Sequence, residues 1–380
     1  MNMQKQRYTR DGSEALETML ASSCERIGEK VKEIVPDSQL EALILAGGYG
    51  RGEGGVFKEN EQDLPYNDLE FFLYIKGSPR LNERKYHDAI HHLEHEMTEE
   101  VGIEVEFKIS SLRALASSEV NMFYYDLLCG HQVTVGDDAV LAGSEFTHHE
   151  DASKIPLHEA TRLMMNRFSG LLFAKDLLQH DKLSKEDTDF VTRNIAKAQL
   201  AIGDALLCAH GQYHWSCVQR HENLKTLSAA DLPMQDILTH HLVAVDFKLH
   251  PQLSTVSKEE LEARHREVSQ LAWEVWRHIE SRRLEYQISD PQSYSRAGDK
   301  CPETFALKNM LLRLRSFGPK GCLSGKVFRY PREILLNVLA VLLWQPSAAN
   351  LNWLSGQFCA PVGSADQALQ AYKQLWQRYN

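Results

Sequence analysis

Long hydrophobic runs are missing from this chain. A helix that crosses a bilayer needs about 20 apolar residues, and the longest apolar stretch, at residues 334–344, is much shorter. The first twenty residues also lack the apolar region of a secretory signal. We therefore expect a protein without a membrane span that is located in the cytoplasm.

The seven cysteines form no pattern that indicates a metal site or a disulfide framework. They are scattered along the chain, without a CxxC pair and without the spacing of a zinc site. Neither a structural zinc ion nor disulfide bonds are therefore expected, and the thiols are expected to be reduced.

Basic residues are fewer than acidic ones. Lysine and arginine number 42 against 52 aspartates and glutamates, which gives a net charge of −10. This balance argues against a general nucleic-acid binder, although it is compatible with one local basic groove. The hydrophobic content of 43% and the charged content of 25% are ordinary for a globular protein, and 380 residues suffice for two domains.

Residues 43–75 contain the pattern that bears most directly on function. An apolar run leads into a glycine-rich turn, and a second apolar run begins with Asp68, Leu69 and Glu70. Because side chains alternate between the faces of a strand, Asp68 and Glu70 are predicted to project to one side, and Leu69 and Phe71 to the other. One or two carboxylates and a substrate phosphate are enough to bind Mg²⁺, so the pair indicates phosphate chemistry.

The glycine-rich turn is the second part of this pattern. Gly47, Gly48, Gly50 and Gly52 can adopt positive φ and let backbone N–H groups approach phosphate oxygens closely. The turn matches neither the Walker pattern GxxxxGK[ST] nor a GxGxxG turn that opens a helix, since a polar loop is expected to follow it. Gly47, Gly48 and the nearby cation Arg51 are the predicted phosphate contacts.

The order of these pieces resembles the nucleotidyltransferase superfamily of the DNA polymerase β type. Its signature is a GG or GS turn followed by two acidic residues that flank one hydrophobic residue. The closest local likeness is to the PII uridylyltransferases, because residues 47–53 read GGYGRGE and residues 65–70 read PYNDLE. The chain departs from the pattern in having a longer connection, at 54–64, and Glu rather than Asp at position 70. The resemblance covers the N-terminal part of the chain only.

The superfamily also uses a third carboxylate on a neighbouring strand. Residues 102–109 read GIEVEFKI and alternate strictly, so Glu104 and Glu106 are predicted on the face opposite the core. Glu106 stands where the family motif has its acid, and Glu104 is the alternative. The resemblance therefore implies Asp68, Glu70 and Glu106 as catalytic residues and as the ligands of two Mg²⁺ ions.

The spacing of apolar residues changes near residue 150. After this point it is almost wholly that of helices, with few strand signals. We expect an α+β fold, with a nucleotidyltransferase-like mixed sheet and helices at 1–150 and an all-α domain at 151–380. In the nucleotidyltransferases that the chain resembles, a second, helical domain closes the nucleotide cleft. The resemblance implies that Arg167 reaches the triphosphate. The alternative is that Arg167 lies on a solvated helix face. Predicted helices span 13–35, 82–101, 157–178, 184–210, 231–249, 257–284, 303–315, 331–345 and 363–378.

One basic segment stands out in this acidic chain. Residues 304–332 contain no Asp or Glu, and glycines with a proline predict a loop in the middle. The cations could gather around one anion such as a triphosphate, or could form a basic surface that balances acidic neighbours. They are Lys308, Arg313, Arg315, Lys320, Lys326, Arg329 and Arg332.

Three histidines share one face of the predicted helix at 82–101. His87, His91 and His95 are spaced i, i+4 and i+8, which is a possible arrangement of transition-metal ligands. A wet helix face that happens to be rich in histidine is the simpler interpretation.

These features together predict a transferase that moves a nucleoside monophosphate from an NTP such as ATP to an acceptor hydroxyl, with release of pyrophosphate. The acceptor is expected to be a small molecule or a protein rather than nucleic acid. Glu at position 70 and the longer connection favour one alternative, a non-catalytic regulator that binds nucleotide. A toxin-type nucleotidyltransferase that modifies tRNA or protein is the other.

Overall fold

The computed structural model of the chain describes residues 7–252, 256–323 and 327–380, without the side chains of 322 and 323. These residues form a mixed α and β structure with two compact units. The first unit extends to Pro156 and also includes His210–Leu227 and residues 242–252. The single domain boundary predicted near residue 150 missed these two later segments, which return to the first unit. Helical periodicity identifies a helix but does not show which core the helix packs against.

A four-stranded sheet forms the centre of the first unit, in the order β5-β4-β1-β6. Strand β4 is antiparallel to β1 and parallel to β5, and β6 is antiparallel to β1. The expected mixed sheet accompanied by helices is therefore confirmed at this level. The strands are β1 (Leu40–Leu45), β2 (Gly55–Glu59), β3 (Gln62–Tyr66), β4 (Asp68–Ile75), β5 (Glu104–Ser110) and β6 (Gln132–Val135).

The α-helices of the described residues follow most of the predicted spans and add several short ones. They are α1 (Glu14–Ile34), α2 (Gly47–Gly50), α3 (Pro79–Val101), α4 (Leu112–Ala116), α5 (Met122–Cys129), α6 (Leu157–Leu177), α7 (Lys185–Ala209), α8 (Cys217–Thr226), α9 (Met234–Leu249), α10 (Lys258–Arg283), α11 (Pro291–Arg296), α12 (Ala306–Leu323), α13 (Arg332–Trp344), α14 (Leu351–Phe358) and α15 (Ala365–Tyr379). Among these residues, no helix is both long enough and apolar enough to cross a membrane.

Helix α1 shows how local sequence sets these elements. The Ser13 side chain accepts a hydrogen bond from the N–H of Leu16 and caps the first turn. Leu20, Ile27 and Val31 are fully buried on one face, and the helix ends just before Pro36. The helix predicted at 13–35 is therefore confirmed.

Strand alternation divides the core of the first unit between the two faces of the sheet. On one face, Leu69 and Phe71 of β4 pack in a cluster with α1 and α3. On the other face, Phe72 and Tyr74 pack with residues of α4 and α5. Because of this period of two, the start of β4 presents its polar side chains on the same face as Phe72.

The polar loop expected after the glycine turn was a wrong prediction. Strands β2 and β3 form an antiparallel hairpin whose two-residue turn, Asn60 and Glu61, has φ of 47° and 64°. Positive φ at both positions fits a tight hairpin turn. The Tyr49 hydroxyl donates to the C=O of Gly55 at 2.8 Å and accepts from the N–H of Tyr66 at 2.7 Å, so it ties both strands to α2. The longer connection is thus an ordered element.

The loop predicted in the middle of the basic segment also needs correction. Helix α12 runs from Ala306 to Leu323 and is only kinked at Gly318, where φ is 61° and ψ is −160°. Proline is tolerated in the first turn of a helix, so Pro319 can begin the next helical stretch directly after the kink. The glycine and proline therefore mark a break between two helical pieces rather than a loop.

Candidate metal centre

Three carboxylates from two neighbouring strands converge in the first unit. In the parallel register of β4 and β5, Glu70 lies opposite Glu106. One oxygen from each of Asp68, Glu70 and Glu106 lies within 4.8 Å of the others, and all three residues are half-buried. Glu104, the alternative third acid, lies opposite Asp68 but is exposed and is not part of this group. The structure therefore brings together the three acids that the sequence predicts.

The electrostatics of this cluster favour a cation. Burial raises the pKa of Glu106, Lys108 partly offsets the rise, and the neighbouring carboxylates add to it. The Nζ atom of Lys108 lies 3.9 Å from Oε1 of Glu70 and also above the rings of Phe72 and Phe123. Carboxylates this close repel one another, and a divalent cation with oxygen ligands relieves that repulsion. The donor set therefore fits Mg²⁺.

The glycine turn lies directly against these carboxylates. It forms the single helical turn α2, and the N–H of Ala46 just before it donates to the C=O of Glu70 at 2.9 Å. Gly47 has a φ of 63°, and a Cβ atom built there would lie 2.7 Å from Oε2 of Glu70. A Cβ atom on Gly48 would lie 3.1 Å from the C=O of Glu53. Absence of a side chain at position 47 is therefore required both by the backbone conformation and by the position of Glu70.

Gly47→Ala is expected to destabilise the protein and to disturb Glu70. The left-handed backbone costs an alanine about 1–2 kcal/mol, and the new methyl group must displace the Glu70 carboxylate. Gly102→Ala is a matched control, because Gly102 has a φ of 80° but nothing within 4 Å of its Cβ position. Denaturant unfolding with and without Mg²⁺ should show a similar loss of stability for both variants. Only Gly47→Ala should also lose stabilisation by Mg²⁺. Retained Mg²⁺ stabilisation in Gly47→Ala, or its loss in Gly102→Ala as well, would contradict the role given to Gly47.

Arg51, a predicted phosphate contact, is engaged elsewhere in this structure. Its Nη1 atom lies 2.9 Å from Oδ2 of Asp126, which also accepts from the Tyr213 hydroxyl at 3.2 Å. Gly130 leaves room for the stem of the arginine, since a Cβ there would lie 2.5 Å from the Cγ of Arg51. This ion pair holds Arg51 in the first unit, and its binding of phosphate stays a prediction.

Within the part of the chain that the structure describes, the predicted cations of the helical part lie in the second unit. Arg167 is half-buried on α6, and its contact with a triphosphate stays a prediction. In the basic segment, Arg329 pairs with Glu333 at 3.0 Å and Arg332 pairs with Glu303 at 2.7 Å. Lys326 lies outside the described residues. Two of these cations are therefore paired with acids that flank the segment.

Sequence reasoning missed one buried ionised group beside the glycine turn. Glu53 accepts hydrogen bonds from the Ser216 hydroxyl at 2.5 Å and from the N–H of Cys217 at 2.9 Å, and Nζ of Lys248 lies 3.8 Å away. Burial alone would raise the pKa of Glu53, but Lys248 and these two donors outweigh it and lower the pKa to about 2. Glu53 thus joins the glycine turn to the two segments that return to the first unit. The only sequence signal was an acid directly after the turn.

Comparison with known proteins does not assign this chain to a family. No family model and no curated protein matches it. The carboxylate cluster and the glycine turn beside it are therefore the basis for inferring a function.

Proposed function

We propose that this chain is a Mg²⁺-dependent nucleotidyltransferase that resembles the DNA polymerase β type. It would transfer a nucleoside monophosphate from an NTP to an acceptor hydroxyl and release pyrophosphate. The observation that carries this proposal is the convergence of Asp68, Glu70 and Glu106 from two adjacent strands. The position of Gly47 against Glu70 supports it, because it puts the glycine turn and the carboxylates side by side, as the resemblance implies.

Asp68, Glu70 and Glu106 would hold two Mg²⁺ ions. Bound Mg²⁺ supplies charge neutralisation for the phosphates and acidifies the acceptor hydroxyl. The half-buried position of the three acids limits competition from bulk water while leaving them accessible to a ligand. Glu70 is long enough to reach both Gly47 and Lys108, so it can connect the metal site to the turn.

The residues of this chain have separate roles in the proposed reaction. Gly47 and Gly48 bring backbone close to the phosphates and orient the α-phosphorus. The acceptor oxygen forms a bond to that phosphorus, the bond to the bridging oxygen breaks, and pyrophosphate leaves. Glu106 would accept the proton of the acceptor hydroxyl, because it is the carboxylate that β5 adds beside Asp68 and Glu70. Lys108 provides a positive charge beside Glu70.

A small molecule or a protein hydroxyl is the proposed acceptor. The net charge of −10 disfavours nucleic acid as a partner. A cytoplasmic location, where NTPs are available, is part of the same proposal.

Transfer of radioactive label from NTPs tests the proposal. The protein would be incubated with Mg²⁺, a small-molecule extract or a protein extract, and each of the four NTPs labelled at the α- or the γ-phosphorus. We expect label from the α-position of at least one NTP to appear on an acceptor, with pyrophosphate released in equal amount. Transfer of γ-label instead would overturn the assignment, because it would indicate a kinase.

Binding of NTP without transfer of its nucleoside monophosphate would indicate a non-catalytic regulator rather than an enzyme. Calorimetry with each NTP, with and without Mg²⁺, would then show Mg²⁺-dependent binding but no pyrophosphate. The ion pair between Arg51 and Asp126 favours this alternative, because it engages the cation that was predicted to bind phosphate. A toxin-type enzyme would be recognised by label on tRNA or protein and by growth arrest on expression.

A further inference from the structure

We propose that His91 and His95 bind one divalent transition-metal ion on the side of α3 that faces β5, through ligands other than Asp68, Glu70 and Glu106. The two Nε2 atoms share a hydrogen bond at 3.2 Å, so one of them carries a proton that a metal ion would replace, and the ring centroids are 4.5 Å apart. Two nitrogens bound tetrahedrally to one zinc ion at 2.0–2.1 Å lie about 3.3 Å apart. The pair therefore already has the spacing of two ligands of one ion.

Glu94 holds the first of these rings in the tautomer that a metal needs. Its Oε2 atom lies 3.0 Å from Nδ1 of His91, and its Oε1 atom accepts from the N–H of Phe107 at 2.9 Å. A carboxylate only accepts hydrogen bonds, so Nδ1 of His91 carries the proton and Nε2 presents a lone pair. A carboxylate that orients a histidine in this way is the usual support of a histidine metal ligand.

The surroundings leave room for the ion and its remaining ligands. His91 and His95 line a cavity of about 460 Å³ between α3 and β5, and both are exposed. Glu104 and Glu106 also line this cavity, so it borders the carboxylate cluster at Glu106. Imidazole ligands select Zn²⁺, Ni²⁺ and Cu²⁺ over Mg²⁺, so the two sites would take different ions.

Calorimetric titration with Zn²⁺ tests this site in the full chain, prepared without a histidine tag and kept in excess Mg²⁺. We expect one Zn²⁺ per chain to bind at His91 and His95. His91→Ala and His95→Ala should each weaken binding by at least about tenfold, and the double variant should abolish it. His92→Ala is the matched control, since His92 is exposed on the same helix, and it should bind as the unchanged protein does.

Glu94→Gln tests the orienting role without removing a ligand. The glutamine oxygen can still accept from Phe107, which turns its NH₂ group toward His91. Nδ1 must then accept, so the proton moves to Nε2 and blocks the metal. We expect binding to weaken by about tenfold or more, with unchanged circular dichroism.

The carboxylate cluster is the competing location for Zn²⁺, and Asp68→Asn separates the two. Unchanged Zn²⁺ binding in Asp68→Asn, together with loss in the histidine variants, supports the proposal. Loss in Asp68→Asn with retention in the double histidine variant would overturn it, as would the absence of Zn²⁺ binding to the unchanged protein. None of these outcomes depends on transferase activity.

Discussion

Asp68→Asn is expected to reduce nucleotidyl transfer by at least about a thousandfold while leaving the fold intact. The substitution keeps the size of the side chain and removes one charge from the cluster with Glu70 and Glu106. Without Mg²⁺, the variant should be as stable as the unchanged protein or slightly more so, because repulsion between the acids falls. Stabilisation by Mg²⁺ should disappear, since ligands stabilise only the state that binds them.

Measurement of α-label transfer and of thermal unfolding with and without Mg²⁺ checks this expectation. Glu104→Gln is the control, because Glu104 lies opposite Asp68 in the same strand pair but is exposed and outside the cluster. It should retain both transfer and the response to Mg²⁺. Full transfer by Asp68→Asn would contradict the proposed function, whereas equal losses in both variants would contradict the choice of the three acids.

Glu53→Gln is expected to lower the free energy of unfolding by about 3 kcal/mol at pH 7. The buried carboxylate is held in its charged form by Lys248, Ser216 and Cys217, with a pKa of about 2 against an ordinary value of 4.5. A glutamine cannot neutralise Lys248, so that ammonium group is left without its partner charge. The loss should be structural, because Glu53 lies beside the glycine turn rather than in the carboxylate cluster.

The pH dependence of this effect has a definite sign. A carboxylate whose pKa is lowered on folding adds stability above its unfolded pKa and loses that contribution as pH falls toward the folded value. The contribution of Glu53 should therefore be complete above about pH 4.5 and vanish by about pH 2. Urea unfolding of the unchanged protein and of Glu53→Gln should show a difference that shrinks over this window. Glu59→Gln, at an exposed position of β2, is the control and should leave stability nearly unchanged. A difference that is constant with pH would contradict the ionised state assigned to Glu53.

Features that depend on local periodicity could be predicted from the sequence. Alternation along β4 placed Asp68 and Glu70 on one face and Leu69 and Phe71 on the other, as the burial of the strand shows. The same rule put Glu106 inside a second strand, and the pairing of β4 with β5 brings it opposite Glu70. Long amphipathic helices such as α1 were equally clear, because their apolar period is repeated over several turns.

Short elements were the main source of error. The hairpin of β2 and β3 is too short and too polar to show a period, and its turn residues, Asn60 and Glu61, are not the usual Asn-Gly pair. Helix α12 continues after Gly318 although glycine and proline in sequence usually mark a loop. The contacts of Tyr49 fix the hairpin, whereas the continuation of α12 follows from the position of Pro319 at the start of its second piece.

The sequence by itself determined which acids share a strand face, the presence of a glycine turn before them and the helical character of the later chain, because these follow from side-chain period and backbone freedom. Only the tertiary structure decided that Glu53 lies between Ser216 and Lys248, that Arg51 pairs with Asp126, and that the Nε2 atoms of His91 and His95 meet. The first two contacts join residues far apart in the chain, and the third depends on how Glu94, held by Phe107 of β5, orients a ring. Contacts between distant residues leave no periodic trace, since they arise when separate elements pack together, and the i, i+4 spacing of the two histidines predicts only that they share a helix face.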